Sequence, residues 1–301
     1  MFPIVARQDL SNDVFLCRIA APEIARKARA GQFFILRTDE TGERIPLTFA
    51  DWDPAAGTVT TVIQKIGKST YHLGTLQVGD VIQDMIGPLG WPSEVAHYGT
   101  VVCVGGGLGI APLYPITRAL HQAGNRTIGI IGARNKSLLF WEDEMRSVCD
   151  ELIVCTDDGS YARKSLVTEP LREILERERG QVGRVLAVGP AIMMKFCTRT
   201  TEPFQVKTVV SLNAIMVDGT GMCGSCRVEV GGKTQFVCVD GPEFDAHQVD
   251  FDVLMARNAM YRDAERVALQ AFDEQQKGSK DNGCRLEKKN PEAAGLFVHK
   301  P

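Results

Sequence analysis

Apolar and polar residues follow two different rhythms along this chain, and the rhythm changes near residue 98. Before that point the apolar runs are short. Phe33-Phe34-Ile35-Leu36, Leu47-Thr48-Phe49-Ala50 and Thr58-Val59-Thr60-Thr61-Val62-Ile63 are broken at close intervals by Asp, Gly and Pro. That spacing predicts short antiparallel strands in a barrel or sandwich, and we expect a β-barrel over residues 1–97. One short helix is expected within it, from about Thr70 to Leu76. Beyond residue 98, Thr100-Val101-Val102-Cys103-Val104 is a continuous apolar run, as in a strand buried on both faces. Similar runs recur at Ile128-Gly129-Ile130-Ile131, Leu152-Ile153-Val154-Cys155 and Arg184-Val185-Leu186-Ala187-Val188, with a helical stretch from about Ala111 to Ala123. Alternation of strands and helices predicts a doubly wound parallel sheet over 98–212. A cysteine-bearing segment occupies 213–248. Residues 249–301 read as a charged, alanine-rich helix from Val249 to Phe272 and a tail from Lys277 to Pro301 without period.

Composition narrows the class. The chain has 301 residues, with 44% hydrophobic residues and a net charge of −3. This is enough apolar content for two cores, and it carries no basic footprint for nucleic acid. No apolar run is long enough to span a bilayer. The start lacks a signal-peptide pattern, and most of the nine cysteines lie singly in apolar runs. They read as core fillers in a reducing compartment, so a cytoplasmic location is expected.

The segment Asp218-Gly219-Thr220-Gly221-Met222-Cys223-Gly224-Ser225-Cys226, followed by Cys238, has the C-x4-C-x2-C…C spacing of a plant-type [2Fe–2S] loop. Aspartate holds the first ligand place. Thiolates are soft donors suited to iron–sulfide clusters, whereas the carboxylate is a harder donor. Zinc is the main rival, although the second short cysteine pair of a zinc ribbon is missing. The candidate ligands are Asp218, Cys223, Cys226 and Cys238.

Glycine-rich turns supply the other candidates. Gly105, Gly106, Gly107 and Gly109, with Ile110, Ala111 and Pro112, lie between an apolar strand and a helix. Such a turn lets a dinucleotide approach the backbone, and the helix start favours phosphate. Gly189 and Pro190 repeat the arrangement at another strand end. Gly67, Lys68, Ser69 and Thr70 open the short helix with hydroxyls and a lysine suited to a pyrophosphate. Upstream, Arg44-Ile45-Pro46-Leu47-Thr48 offers a second phosphate or flavin contact. Taken singly, each of these last two motifs is better read as a surface turn with a capped helix. His72, His97 and His121 show no metal spacing, Trp52, Trp91 and Trp141 read as packing, and Met193-Met194 reads as helix core. No catalytic acid, base or nucleophile stands out.

The order of these motifs resembles the ferredoxin–NADP reductase superfamily, in the branch with a C-terminal [2Fe–2S] segment. That branch includes the electron-transfer subunit of dihydroorotate dehydrogenase B and the small subunits of sulfide dehydrogenase and of NADH-dependent reduced ferredoxin:NADP oxidoreductase. The resemblance covers residues 1 to about 260. It implies FAD in the barrel at Pro46, Leu47, Thr48 and Gly67–Thr70. It implies NAD(H) or NADP(H) at the glycine turns of the parallel sheet. It also implies a cluster held by Asp218, Cys223, Cys226 and Cys238. Arg44 lies one place further from Thr48 than in the family's flavin motif, and Val188 stands where a cysteine is common. The implied function is an electron-transfer flavoprotein subunit with a larger flavin or iron–sulfur partner, and ferredoxin as a further candidate. A stand-alone reductase and a nucleotide-sensing subunit are the competing readings. Arg134 and Lys136 leave the choice between NAD and NADP open.

Overall fold

The computed structural model describes the backbone of residues 1–287, and side chains through residue 276 except at 275. The N-terminal part carries β1 (Phe2–Asp9), β2 (Val14–Ala20), α1 (Pro22–Ala25), β3 (Phe33–Arg37), β4 (Ile45–Thr48), β5 (Asp51–Asp53), β6 (Thr58–Gln64), α2 (Lys68–Leu73), β7 (Val81–Ile82) and β8 (Asp84–Leu89). These strands pair antiparallel in two sheets, β5-β6-β2-β1-β7 and β4-β3-β8. Phe15, Cys17, Ile19, Phe34, Leu36, Phe49, Val59, Ile63 and Ile82 fill the space between them. The expected barrel is thus assembled from two facing sheets around one core. The period-2 pattern of β2 explains how it serves two cores. Phe15, Cys17 and Ile19 point into the barrel, while Val14 joins a second cluster outside it. The short helix α2 starts two residues before the expected Thr70 and ends three before Leu76. It starts there because Thr70, the third helical residue, accepts from the Gly67 N–H and caps the turn before it.

The second rhythm produces β9 (Thr100–Gly106), α3 (Ile110–Gln122), β10 (Arg126–Ala133), α4 (Glu142–Arg146), β11 (Glu151–Thr156), β12 (Arg163–Lys164), α5 (Thr168–Arg177), β13 (Val182–Val188), α6 (Ala191–Thr201) and β14 (Thr208–Ser211). After these come β15 (Arg227–Val230), β16 (Lys233–Phe236), α7 (Val237–Asp240), β17 (Glu243–Asp245), α8 (Phe251–Asn258) and α9 (Arg262–Glu287). The large sheet has the order β12-β11-β10-β9-β13-β14-β17, parallel throughout except for β17. Alternate residues of β9 enter different cores. Val101 and Cys103 pack with Ile110, Leu113 and Ile116 of α3, whereas Val102 and Val104 pack with Leu171, Ile174 and Met194 on the other face. Burial on both faces is why the run lacks polar alternation.

The cysteine segment does not stand apart from this sheet. Its strand β17 pairs with β14 through Val209↔Asp245, Val210↔Phe244 and Ser211↔Glu243. The chain forms two compact units, Met1–Ala259 and a second from Met260 onward that contributes α9. The single helix expected from Val249 to Phe272 is interrupted between α8 and α9 at residues 259–261. The expected aperiodic tail is helical up to Glu287, and its remainder, 288–301, lies outside the described residues. Among the described residues no helix is long and apolar enough to cross a membrane.

Candidate functional site

The cysteine loop folds back over the small barrel sheet. Gly219 takes the left-handed region (φ +74°), and a Cβ there would lie 2.5 Å from Ile35 Cδ1 and 2.9 Å from Leu89 Cδ1. Only glycine satisfies both the conformation and the closeness. Ile35 in β3 is also the register partner of Pro46 in β4. Cross-strand partners share a face of the sheet. One residue of β3 therefore borders both the cysteine loop and the Pro46-Leu47-Thr48 motif.

The four nominated metal ligands come together as two pairs. Asp218 accepts from the backbone N–H of Thr220 at 3.0 Å and of Cys223 at 3.1 Å. Cys223 Sγ lies 3.4 Å from Asp218 Oδ1. The hairpin of β15 and β16 makes the second pair by setting Arg227 opposite Phe236, which carries Cys238 back to Cys226. Their sulfurs are 3.2 Å apart, and the Cys238 N–H points at Cys226 Sγ from 3.4 Å. Hydrogen bonds from the Thr220 backbone hold the Asp218 carboxyl below its ordinary range. Those from Ser225 lower the Cys223 thiol. Burial, with Cys226 alongside, pushes the Cys238 thiol up to about 12. Among the described residues no three His, Cys, Asp or Glu side chains converge to hold a single metal ion. A zinc ribbon needs four donors around one point. Two separate pairs fit a dinuclear cluster, in which each iron takes two outer ligands. The donor set therefore fits the group that its spacing implies.

The glycine turn lies at the carboxyl end of β9, whose neighbours are β10 on one side and β13 on the other. Chain order reverses there, and such switch points bind ligands in open α/β sheets. Gly109 sits against β13: a Cβ would collide with Val188 O and lie 2.7 Å from Gly189 Cα. A Cβ on Gly106 would strike Met193 Sδ. The two glycine motifs thus meet at one edge. Their closeness explains Gly106 and Gly109 through packing, and Ile110 and Ala111 are buried core residues. Gly107 differs. It has φ +54° and nothing within 4 Å of a Cβ position, so it faces open space.

The barrel-side motifs are joined by a side-chain bond. Ser69 Oγ donates to Glu43 Oε2 at 2.5 Å, linking α2 to the residues just before β4. Thr70 Oγ1 accepts from the N–H groups of Ile66 and Gly67 at 2.9 and 3.1 Å, so its hydroxyl caps the helix. Lys68 is exposed, as is Arg44. Thr48 is half-buried, and its carbonyl accepts from Thr61 Oγ1 at 3.1 Å.

Two features escaped the sequence reading. Trp52 and Trp141 pack, as expected, but Trp91 is 67% exposed. Arg118 and Asp51 form an ion pair of 2.7 Å between α3 and β5. No spacing rule reveals such a pair, because its members lie in elements of different period.

A two-sheet barrel, a parallel nucleotide-type sheet and a cysteine loop resting on the barrel define a reductase of the ferredoxin–NADP reductase type. Residues 213–250 match the iron–sulfur cluster binding domain of dihydroorotate dehydrogenase B. A Thermotoga maritima protein named as a homologue of the dihydroorotate dehydrogenase B (NAD(+)) electron transfer subunit is 48% identical, covering 89% of this chain and 94% of its own length. A Clostridium beijerinckii protein of unassigned role is 44% identical over 96% of this chain and 100% of its own. A solved structure of an NADH-dependent reduced ferredoxin–NADP oxidoreductase, described in terms of flavin-based electron bifurcation, has a chain that is 48% identical. It superposes with a TM-score of 0.85 over 90% of this chain and 98% of that one. The chain belongs to the family of dihydroorotate dehydrogenase B electron-transfer subunits and their homologues.

Proposed function

We propose that this chain passes electrons between a pyridine nucleotide and a larger oxidoreductase subunit, using FAD and a [2Fe–2S] cluster. The observation that carries the reading is the shared strand β3. Ile35 lies beside Pro46 and under Gly219 of the cysteine loop, which would bring the flavin and cluster sites within one side chain of each other. Pro46, Leu47 and Thr48 would hold the flavin edge, and the first-turn amides of α2 with Lys68 would hold its pyrophosphate. Gly107, in the turn before α3, would let the nucleotide pyrophosphate approach, with Gly189 and Pro190 forming the opposite wall. Asp218 with Cys223, and Cys226 with Cys238, would hold the cluster. When bound, the flavin supplies exchange between the two-electron chemistry of nicotinamide and the one-electron chemistry of an iron–sulfur centre. The chain itself positions these groups and excludes water, and this chemistry requires no general acid or base. Residues 1–97, 98–212 and 213–248 take the flavin, nucleotide and cluster roles in turn. The larger partner would be the oxidoreductase that an electron transfer subunit serves, as the name of the Thermotoga maritima relative implies, and the location would be cytoplasmic.

The test is chemical analysis of the purified chain followed by anaerobic titration. We expect FAD, two irons and acid-labile sulfide per chain, with the flavin bleached by NADH or NADPH. Stoichiometric zinc without labile sulfide would overturn the cluster assignment. Nucleotide binding without bleaching would make the chain a sensor rather than a conductor.

A further inference from the structure

Arg118 sits on α3, which begins directly after the glycine run. Its guanidinium donates to Asp51 Oδ1 of β5 at 2.7 Å. It also lies over two rings, 5.8 Å from the centroid of Trp52 in β5 and 5.1 Å from that of Tyr114 on its own helix. Both rings are braced from behind. Trp52 meets Phe49 edge-on at 6.4 Å, and Phe49 meets Phe34 of β3 at 5.1 Å. Tyr114 meets Trp141 at 5.4 Å, and Trp141 meets Phe140 at 6.0 Å. Trp141 takes the left-handed region (φ 58°), which is uncommon for so bulky a residue. A file of rings thus runs from β3, the strand beside the flavin motif, to the loop after β10, and Arg118 is the cation inside it. Below this file Ala50 and Val62 of the barrel belong to the same buried cluster as Ile110, Ala111 and Leu113. Apolar contact of that kind resists separation but has little preferred direction. A planar guanidinium between two rings and a carboxylate does fix direction.

We propose that Arg118 is a positioning residue: through Asp51, Trp52 and Tyr114 it sets the angle at which α3 and its glycine turn face the flavin motif Pro46–Thr48. The proposal rests on the nucleotide and flavin assignments made above. Nine residues separate Arg118 from Gly109, about 13 Å along a helix. A tilt of roughly 5° about the Arg118 contact moves the glycine turn by about 1 Å. Displacements of that size in remote supports cost up to about a hundredfold in rate when reacting groups must be aligned. Arg118 touches neither glycine motif, so its loss should leave nucleotide affinity nearly intact.

The experiment compares the full chain with Arg118→Ala, Arg118→Lys, Asp51→Asn and the exchanged pair Arg118→Asp with Asp51→Arg. Backbone hydrogen exchange of α3 and β5 is measured without added nucleotide, followed by the NADH dissociation constant and the rate of flavin bleaching. For Arg118→Ala we expect faster exchange in both elements, a dissociation constant within about twofold of native, and bleaching slowed roughly ten- to a hundredfold. Arg118→Lys and Asp51→Asn should fall between, and the exchanged pair should recover part of the rate by restoring the charge contact. Native exchange and native bleaching in Arg118→Ala would overturn the proposal. A variant that loses NADH affinity instead would make Arg118 a nucleotide contact, which also overturns it. Failure of the native chain to bleach with NADH or NADPH would strike the underlying functional reading. The exchange measurement would still decide whether Arg118 holds α3 to β5.

Discussion

Gly107 and Gly109 stand two residues apart in one turn, yet substitution should fail in different ways at each. Gly107 has a positive φ and open space around it. Asparagine tolerates that conformation better than other side chains. Gly107→Asn should therefore keep the fold and its FAD while raising the NADH dissociation constant about tenfold or more, by crowding the phosphate approach. Unchanged titration curves in that variant would remove the nucleotide from this turn. At Gly109 a methyl would meet the Val188 carbonyl, backbone that cannot step aside. Gly109→Ala should cost about 1–3 kcal/mol of stability, read as a lower melting temperature even without nucleotide. The sequence reading singled out the glycine run but not the division of labour within it. A ligand and a neighbouring strand both demand a missing Cβ, and one-dimensional spacing cannot tell them apart. Asp218 poses the same ambiguity: its oxygens cap the loop at Thr220 and Cys223 and also face the Cys223 sulfur. If it ligates iron, Asp218→Ala should lose cluster iron and Asp218→Cys should retain it with a shifted absorption spectrum. An Asp218→Ala protein with native iron content and spectrum would reduce the carboxylate to a cap.

Whole elements were legible where one period ran long enough. The buried strands β9, β10, β11 and β13 and the helix α3 all fall within two residues of their expected bounds. The three-residue strand β17 was not legible, since Glu243-Phe244-Asp245 is too short to show alternation. Yet it ties the cysteine segment both to the parallel sheet and to the chain leading out of the barrel. Ser93 Oγ donates to Glu243 Oε1 at 2.5 Å, and the Ser93 N–H reaches Ala30 O at 2.9 Å. Burial raises the Glu243 carboxyl above its ordinary value of 4.5, opposed by the Ser93 hydrogen bond and the Arg184 charge and helped by Glu94. The sign follows directly. A raised acid binds its proton more tightly in the native state than in the unfolded one, so its contribution is full at low pH. That contribution is lost as pH rises through the raised value. Glu243→Gln keeps a neutral acceptor for Ser93. Its melting temperature relative to native should therefore climb as pH rises above the ordinary carboxylate value and level off above the raised one. A difference that stays constant with pH would mean that Glu243 is not the group titrating.

At the scale of the molecule, electrons that reach the cysteine loop need an exit, and the loop's surroundings suggest where a partner sits. Met222 is 87% exposed beside the exposed Cys223, and Val217 and Val239 are 48% and 38% exposed. Val239 packs against Gly221, the residue before Met222, which sets it against the cysteine loop. An apolar group at the rim of a redox site is the kind of surface that a partner subunit covers. The sequence likewise leads us to expect the larger subunit over the cluster face, with the tail from Lys277 to Pro301 adding to the association because a charged stretch without period has no evident core role. Two variants separate the contributions of loop and tail. Met222→Asp sets a charge at the centre of the loop patch without touching a nominated ligand. It should weaken association with the larger subunit about tenfold or more while iron content stays native. Deleting residues 277–301 tests the tail with the same binding measurement. We expect the loop variant to cost more, because electron transfer requires the partner's redox centre to approach the cluster itself. Native affinity in Met222→Asp combined with lost affinity in the deletion would move the interface to the tail, and the electrons would then need a different exit.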